Sequence, residues 1–62
     1  MSDTVFSILK RRLEERKSSI ELFLAQGGAK SYDEYTRSVG MYAATNESLQ
    51  DIQEIEKRFL ED

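Results

Sequence analysis

The stretch Gly27-Gly28-Ala29-Lys30-Ser31-Tyr32-Asp33-Glu34-Tyr35 leaves this chain few folds to choose from. Two adjacent glycines supply backbone conformations that close a helix at little steric cost. Ser31 and Glu34, three apart, read as a capping box, each side chain serving a free backbone N–H at a helix start. Asp33 and Glu34 also fall in the first turn, where the helix dipole favours negative charge. One helix therefore ends and another begins here. Gly27, Gly28, Ser31 and Glu34 are the turn and cap residues. The chain contains no Pro, so no proline kink is expected on either side.

The flanking segments carry helical periods. In the first, Phe6, Leu9, Leu13, Ile20 and Phe23 are spaced three, four, seven and three apart, and Arg16 fills the gap. In the second, Tyr32, Tyr35, Val39, Tyr42, Leu49, Ile52, Ile55 and Phe59 continue by threes and fours, with Asn46 in the gap. Alternation of three and four is the seam of a coiled coil. The expected fold is all-α, one antiparallel two-helix hairpin over residues 1–62. Its first helix covers about 3–26, with Ser2, Asp3 and Thr4 offering a choice of N-cap and Asp3 or Ser2 preferred, the turn 27–31 and the second helix about 32–60.

Folding the chain at Ala29 sets residue i against residue 58 − i or 59 − i. Phe23 then faces Tyr35, Ile20 faces Val39, Leu9 faces Leu49 and Phe6 faces Ile52. Arg16 against Tyr42 and Leu13 against Asn46 form a polar interruption. Lys10 with Glu14 and Arg11 with Glu15 have the spacing of helix-surface ion pairs. Gly40 is either a tolerated flaw or a place where another chain comes close.

Such a seam leaves Val5, Ile8, Leu22, Leu24, Met41, Ile55, Phe59 and Leu60 unused. These are the candidate interface residues. The need for an interface is general: a chain of 62 residues buries only about 60% of its unfolded surface and usually needs reinforcement. With no Cys and no His, disulfides and the commonest zinc ligands are excluded. Self-association is the remedy that remains, as a four-helix bundle dimer, or docking on a larger helical partner.

Net charge is −3, divided as +2 over residues 1–30 and −5 over 31–62, so the two halves are electrostatically complementary. Lys10, Arg11, Arg12, Arg16 and Lys17 form a candidate nucleic-acid patch. Glu14 and Glu15 interrupt it, no aromatic platform lies beside it, and the whole chain is acidic, so a solvated helix face is the stronger reading. No stretch approaches the roughly 20 apolar residues of a membrane span, and no basic-then-apolar leader is present. Glu14, Glu15, Asp33, Glu34, Glu47, Asp51 and Glu54 fall on polar faces, with no calcium-loop spacing and no Walker motif. No catalytic residue, metal ligand or cofactor is assigned, and no enzyme is expected.

Several segments carry a resemblance. They are the Leu-Glu-Glu-Arg quartet Leu13 to Arg16, the Gly27-Gly28-Ala29-Lys30 turn, the tyrosine-bearing start of the second helix, Val39-Gly40, and Leu49-x-x-Ile52 with an acidic tail reaching Asp62. In these the chain resembles small helical-hairpin proteins of tailed bacteriophages. The resemblance implies a phage origin, a place in the host cytoplasm or the virion, and a non-enzymatic structural or assembly role. Its partner would be itself or a larger phage or host protein. The alternatives are a small inhibitor or modulator of a host protein, and an RNA-binding dimer like the plasmid Rop protein, which is similar in length and outline. That last likeness is one of fold alone.

Overall fold

The computed structural model describes residues 4–61 and shows two antiparallel α-helices, α1 (Val5–Ala25) and α2 (Tyr32–Glu61). The expected caps Ser2 and Asp3 lie outside the described residues. Thr4, the third candidate, takes the role: its backbone is extended and its Oγ1 accepts the Ser7 N–H at 3.1 Å. That satisfies one of the donors a helix start leaves free.

Both glycines of the turn are used in ending α1. The Gly27 N–H donates to the Leu24 carbonyl at 3.1 Å, and the Gly28 N–H donates to the Phe23 carbonyl at 2.8 Å. Together these bonds form a Schellman closure, which needs a left-handed residue. Gly27 provides it at φ 71°. Gly28 is needed for space: a Cβ there would lie 2.5 Å from the Phe23 ring and 2.7 Å from its carbonyl oxygen. Ala29, Lys30 and Ser31 then lead to α2, where Ser31 Oγ accepts the Glu34 N–H at 3.1 Å. Glu34 Oε2 reaches back to the Lys30 N–H at 2.8 Å, one residue earlier than in the usual reciprocal box.

The helices meet along a seam that differs from the expected one. On α1 the inward residues are Phe6, Lys10, Leu13, Lys17, Ile20 and Leu24; on α2 they are Ser38, Tyr42, Thr45, Asn46, Leu49, Ile52 and Glu56. Phe6, Leu13 and Ile20 were expected. A heptad series of that kind can be completed three residues on, by Leu9, Arg16 and Phe23, or four residues on, by Lys10, Lys17 and Leu24. The structure takes the second, so Leu9, Arg16 and Phe23 turn outward and Leu24 turns inward. The reason is visible in what the lysines reach. Lys10 Nζ donates to Glu56 Oε1 at 2.7 Å, rather than pairing with Glu14 on its own helix. Lys17 Nζ donates to Asn46 Oδ1 at 3.2 Å and lies 5.4 Å from the centre of the Tyr42 ring. Lysine stems cover apolar surface while their ammonium groups find partners at the seam's edge. The expected polar interruption at Tyr42 and Asn46 therefore exists, with Lys17 in the place assigned to Arg16.

The register also moves. Phe6–Phe59, Lys10–Glu56 and Lys17–Asn46 pair residues whose numbers add to 65, 66 and 63, instead of 58 or 59. The slip is four to eight residues, roughly one to two helical turns. Closing α1 on its own glycines frees the connection from a symmetric fold at Ala29. As a result the overhang of α2 lies at the turn end, where residues 32–37 are all exposed. Phe59, expected to lack an intramolecular partner, packs its ring 5.6 Å from that of Phe6.

Candidate interaction surface

Two helices in contact bury little. Among the described residues the buried apolar side chains are Ile20 and Leu49, and no large side chain is fully buried. Thr45 is the third buried residue, and its hydroxyl donates to the Met41 carbonyl one turn back at 2.7 Å, so its burial leaves no polar atom unpaired. Val5, Ile8, Leu9, Leu22, Phe23, Tyr32, Tyr35, Val39, Met41, Ile55, Phe59 and Leu60 remain exposed.

These exposed residues are not spread evenly around the hairpin. Seen along the seam, the pair has two flanks. Leu9, Arg16 and Phe23 recur at intervals of seven along one flank of α1; Met41, Ser48 and Ile55 do the same on the adjoining flank of α2. An open groove of about 390 Å³ runs between them near the turn, lined by Arg16, Ser19, Ile20, Phe23, Ser38 and Met41. The opposite flank of α1 carries Ser7, Glu14 and Glu21, and that of α2 carries Val39, Asn46 and Gln53. Its groove, about 420 Å³, is lined by Glu21, Leu24, Ala25, Val39 and Tyr42. On the first flank Phe23 and Met41 share the groove near the turn, while Leu9 and Ile55 are exposed toward the other end, Ile55 beside Asp51, Glu54 and Arg58. The second is polar along its middle, at Glu14, Asn46 and Gln53, but apolar near the turn, where Leu24, Ala25, Val39 and Tyr42 line its groove.

The candidate interface residues fall on several sides. Met41 and Ile55 lie on the apolar flank, and Val5 borders it. Ile8 and Leu22 lie on the back of α1, Leu60 lies on the polar flank, Leu24 is half-buried in the seam, and Phe59 contacts Phe6. Leu9 and Phe23, assigned to the seam from their spacing, belong to the exposed surface, 42% and 41% accessible. The signal that identifies them is the alternative completion of the Phe6, Leu13, Ile20 series.

The candidate nucleic-acid residues are not held together. Lys10 and Lys17 turn into the seam toward Glu56 and Asn46, Arg11 lies on the polar flank, and Arg12 and Arg16 lie toward the apolar one. A continuous basic face, the electrostatic footprint of nucleic-acid binding, does not form from these five. The carboxylates considered for chemistry are all exposed, and among the described residues no group of three or more Asp or Glu side chains is arranged to hold a metal ion. No helix among the described residues is long and apolar enough to cross a membrane. Gly40, on the back of α2, would meet nothing within 4 Å if it carried a Cβ, so no close approach within the hairpin accounts for it.

Comparison with family models, with curated proteins and with solved structures gives no match.

Proposed function

We propose that this protein is a non-enzymatic assembly protein of the phage type, a helical hairpin that works through helix–helix contacts, first with copies of itself. One observation carries the reading: twelve large apolar side chains stay exposed while Ile20 and Leu49 are the buried apolar ones among the described residues. A monomer with so little interior and so much apolar exterior is half of a folding unit. The phage setting, and with it a place in the host cytoplasm or the virion, is supported by the sequence resemblance alone. An RNA-binding role loses support from the placement of Lys10 and Lys17.

Sedimentation equilibrium across a hundredfold range of concentration, with helix content followed on the same samples, tests the self-association. The expected result is a discrete oligomer whose thermal midpoint rises with concentration, as mass action requires. A stable monomer throughout would remove the reading. The phage assignment is tested by mass spectrometry of purified particles and of assembly intermediates from infected cells. Recovery at a fixed copy number supports it, and absence from both removes it.

A further inference from the structure

Resting on the self-association reading, we infer that the flank bearing Leu9, Arg16, Phe23, Met41, Ser48 and Ile55 is covered by the same flank of a second copy, with both turns at the same end. The occupant is argued from chemistry, area and charge. The flank places exposed apolar residues toward its ends, Phe23 and Met41 in the groove near the turn, Leu9 and Ile55 at the other end, with Asp51 and Arg58 beside Ile55. Between these ends lie the small Ser19, Ala44 and Ser48 and the long Arg16. Two such flanks related by a twofold axis match apolar group to apolar group, and the small residues between let the helices approach. A hairpin 47 Å long and 20 Å wide offers a footprint on the order of 900 Å², against the roughly 800 Å² per partner of a stable interface.

Charge decides the direction. Over its helical residues α1 carries five basic and three acidic groups, and α2 carries three basic and seven acidic. A twofold axis along the helices lays α1 of each copy on α2 of the other, positive on negative. It also brings Arg16 to the level of the partner's Ser48 and Arg12 to that of the partner's Asp51. A twofold axis across the helices would lay α1 on α1 and α2 on α2, and set Arg16 against its own copy. Like charges opposed in this way are unfavourable, and that arrangement is excluded in favour of the first.

The chain has no cysteine, so a spin label on Lys30→Cys reports the position of the turn alone. In the dimer, pulsed electron paramagnetic resonance should give an interchain distance below about 30 Å, a span of two adjacent helix pairs with their label linkers. A distance near the 47 Å hairpin length overturns the direction while leaving self-association standing. The face is tested by Met41→Glu/Ile55→Glu, which should weaken association roughly 100-fold by burying charges without partners. Leu22→Glu, on the back of α1, should leave it within about threefold. The reverse pattern overturns the face and keeps the assembly reading. Should the double variant lose its helix content, the label distance on the otherwise unchanged chain still decides the direction, and Ser48→Arg decides the face by the same dilution experiment. A parent protein that is monomeric at every concentration defeats the reading on which all of this rests.

Discussion

The seam inside the hairpin and the apolar flank outside it invite comparison, because polar groups enter the seam beside Phe6, Leu13, Ile20, Leu24, Tyr42, Leu49 and Ile52, while apolar groups stay outside on the flank beside Arg16 and Ser48. The seam holds Lys10, Lys17, Ser38, Thr45, Asn46 and Glu56 among its inward residues; the flank holds Leu9, Phe23, Met41 and Ile55. A hairpin meant to stand alone would gain by exchanging them. Keeping polar groups where the two helices meet fixes their pairing through specific partners, at a cost in stability. Keeping apolar groups outside leaves driving force for a further contact. Pairing within the hairpin is thus chosen by polar geometry, and the proposed pairing between hairpins by hydrophobic area.

The largest test of this contrast is Leu49→Ala. Leu49 is 6% accessible and sits where Thr45 and Ile52 complete the seam, so its truncation should cost about 2–3 kcal/mol in urea unfolding. Leu22→Ala, on the exposed back of α1, should cost less than about 0.5 kcal/mol. Equal losses at both positions would mean that inside and outside are not distinguished in solution.

Next in size is the turn. Gly28→Ala drives a Cβ against the Phe23 carbonyl and ring, and the carbonyl belongs to backbone already engaged in closing the helix. A loss of roughly 2 kcal/mol is expected. Gly27→Ala should cost about 1–2 kcal/mol for its left-handed backbone alone. Gly28 also positions Phe23 on the flank. The sharper expectation is therefore that Gly28→Ala weakens self-association beyond its effect on helix content, whereas Gly27→Ala does not. Concentration-dependent melting of the two variants separates these effects.

The hairpin itself was legible in the sequence, because its determinants are local. Two glycines, a serine and a glutamate three residues apart need no knowledge of the rest of the chain to end one helix and begin another. The seam and register were not legible, because they depend on what meets across it. Leu9 and Phe23 satisfy a hydrophobic pattern better than Lys10 and Lys17 do. The lysines enter the seam only because Glu56, Asn46 and Tyr42 stand opposite, and a linear pattern does not contain that fact. Thr45 escaped notice for a related reason: its hydroxyl is satisfied by its own helix, which makes a polar residue fit for burial. Of the candidate interface residues, Met41 and Ile55 are exposed on the apolar flank, Leu24 turns into the seam with the alternative completion, and Phe59 meets Phe6 through the shift in register.

Gly40→Ala examines a surface that belongs to neither side of the contrast. Nothing lies within 4 Å of the site, so an added methyl should only raise helix propensity, stabilising the protein by about 1 kcal/mol. If the melting temperature rises and association is unchanged, the back of α2 is solvent-facing in the assembled form too. If association weakens instead, Gly40 with Ala43 is a close-packing surface, and the apolar flank is not the principal contact.

The smallest expected effect comes from the polar side of the seam. Lys10 and Glu56 are 27% and 19% accessible, so their 2.7 Å contact is neither fully solvated nor fully enclosed. Glu56→Gln keeps the shape and an acceptor for the lysine while removing the charge. The expected loss is about 0.5–1 kcal/mol at low salt. Because part of that is Coulombic and reachable by solvent, parent and variant should converge as salt approaches 1 M, where the screening length falls to about 3 Å. A loss that persists in high salt would mean that the pair acts through its hydrogen-bond geometry. In that case the lysine stem, held in the seam, contributes more to register than the charge does. Lys10→Met separates the two, since it keeps the stem and discards the charge. Stability like that of the parent, combined with a mixture of association states, would place the polar seam's role in selecting one pairing rather than in strengthening it.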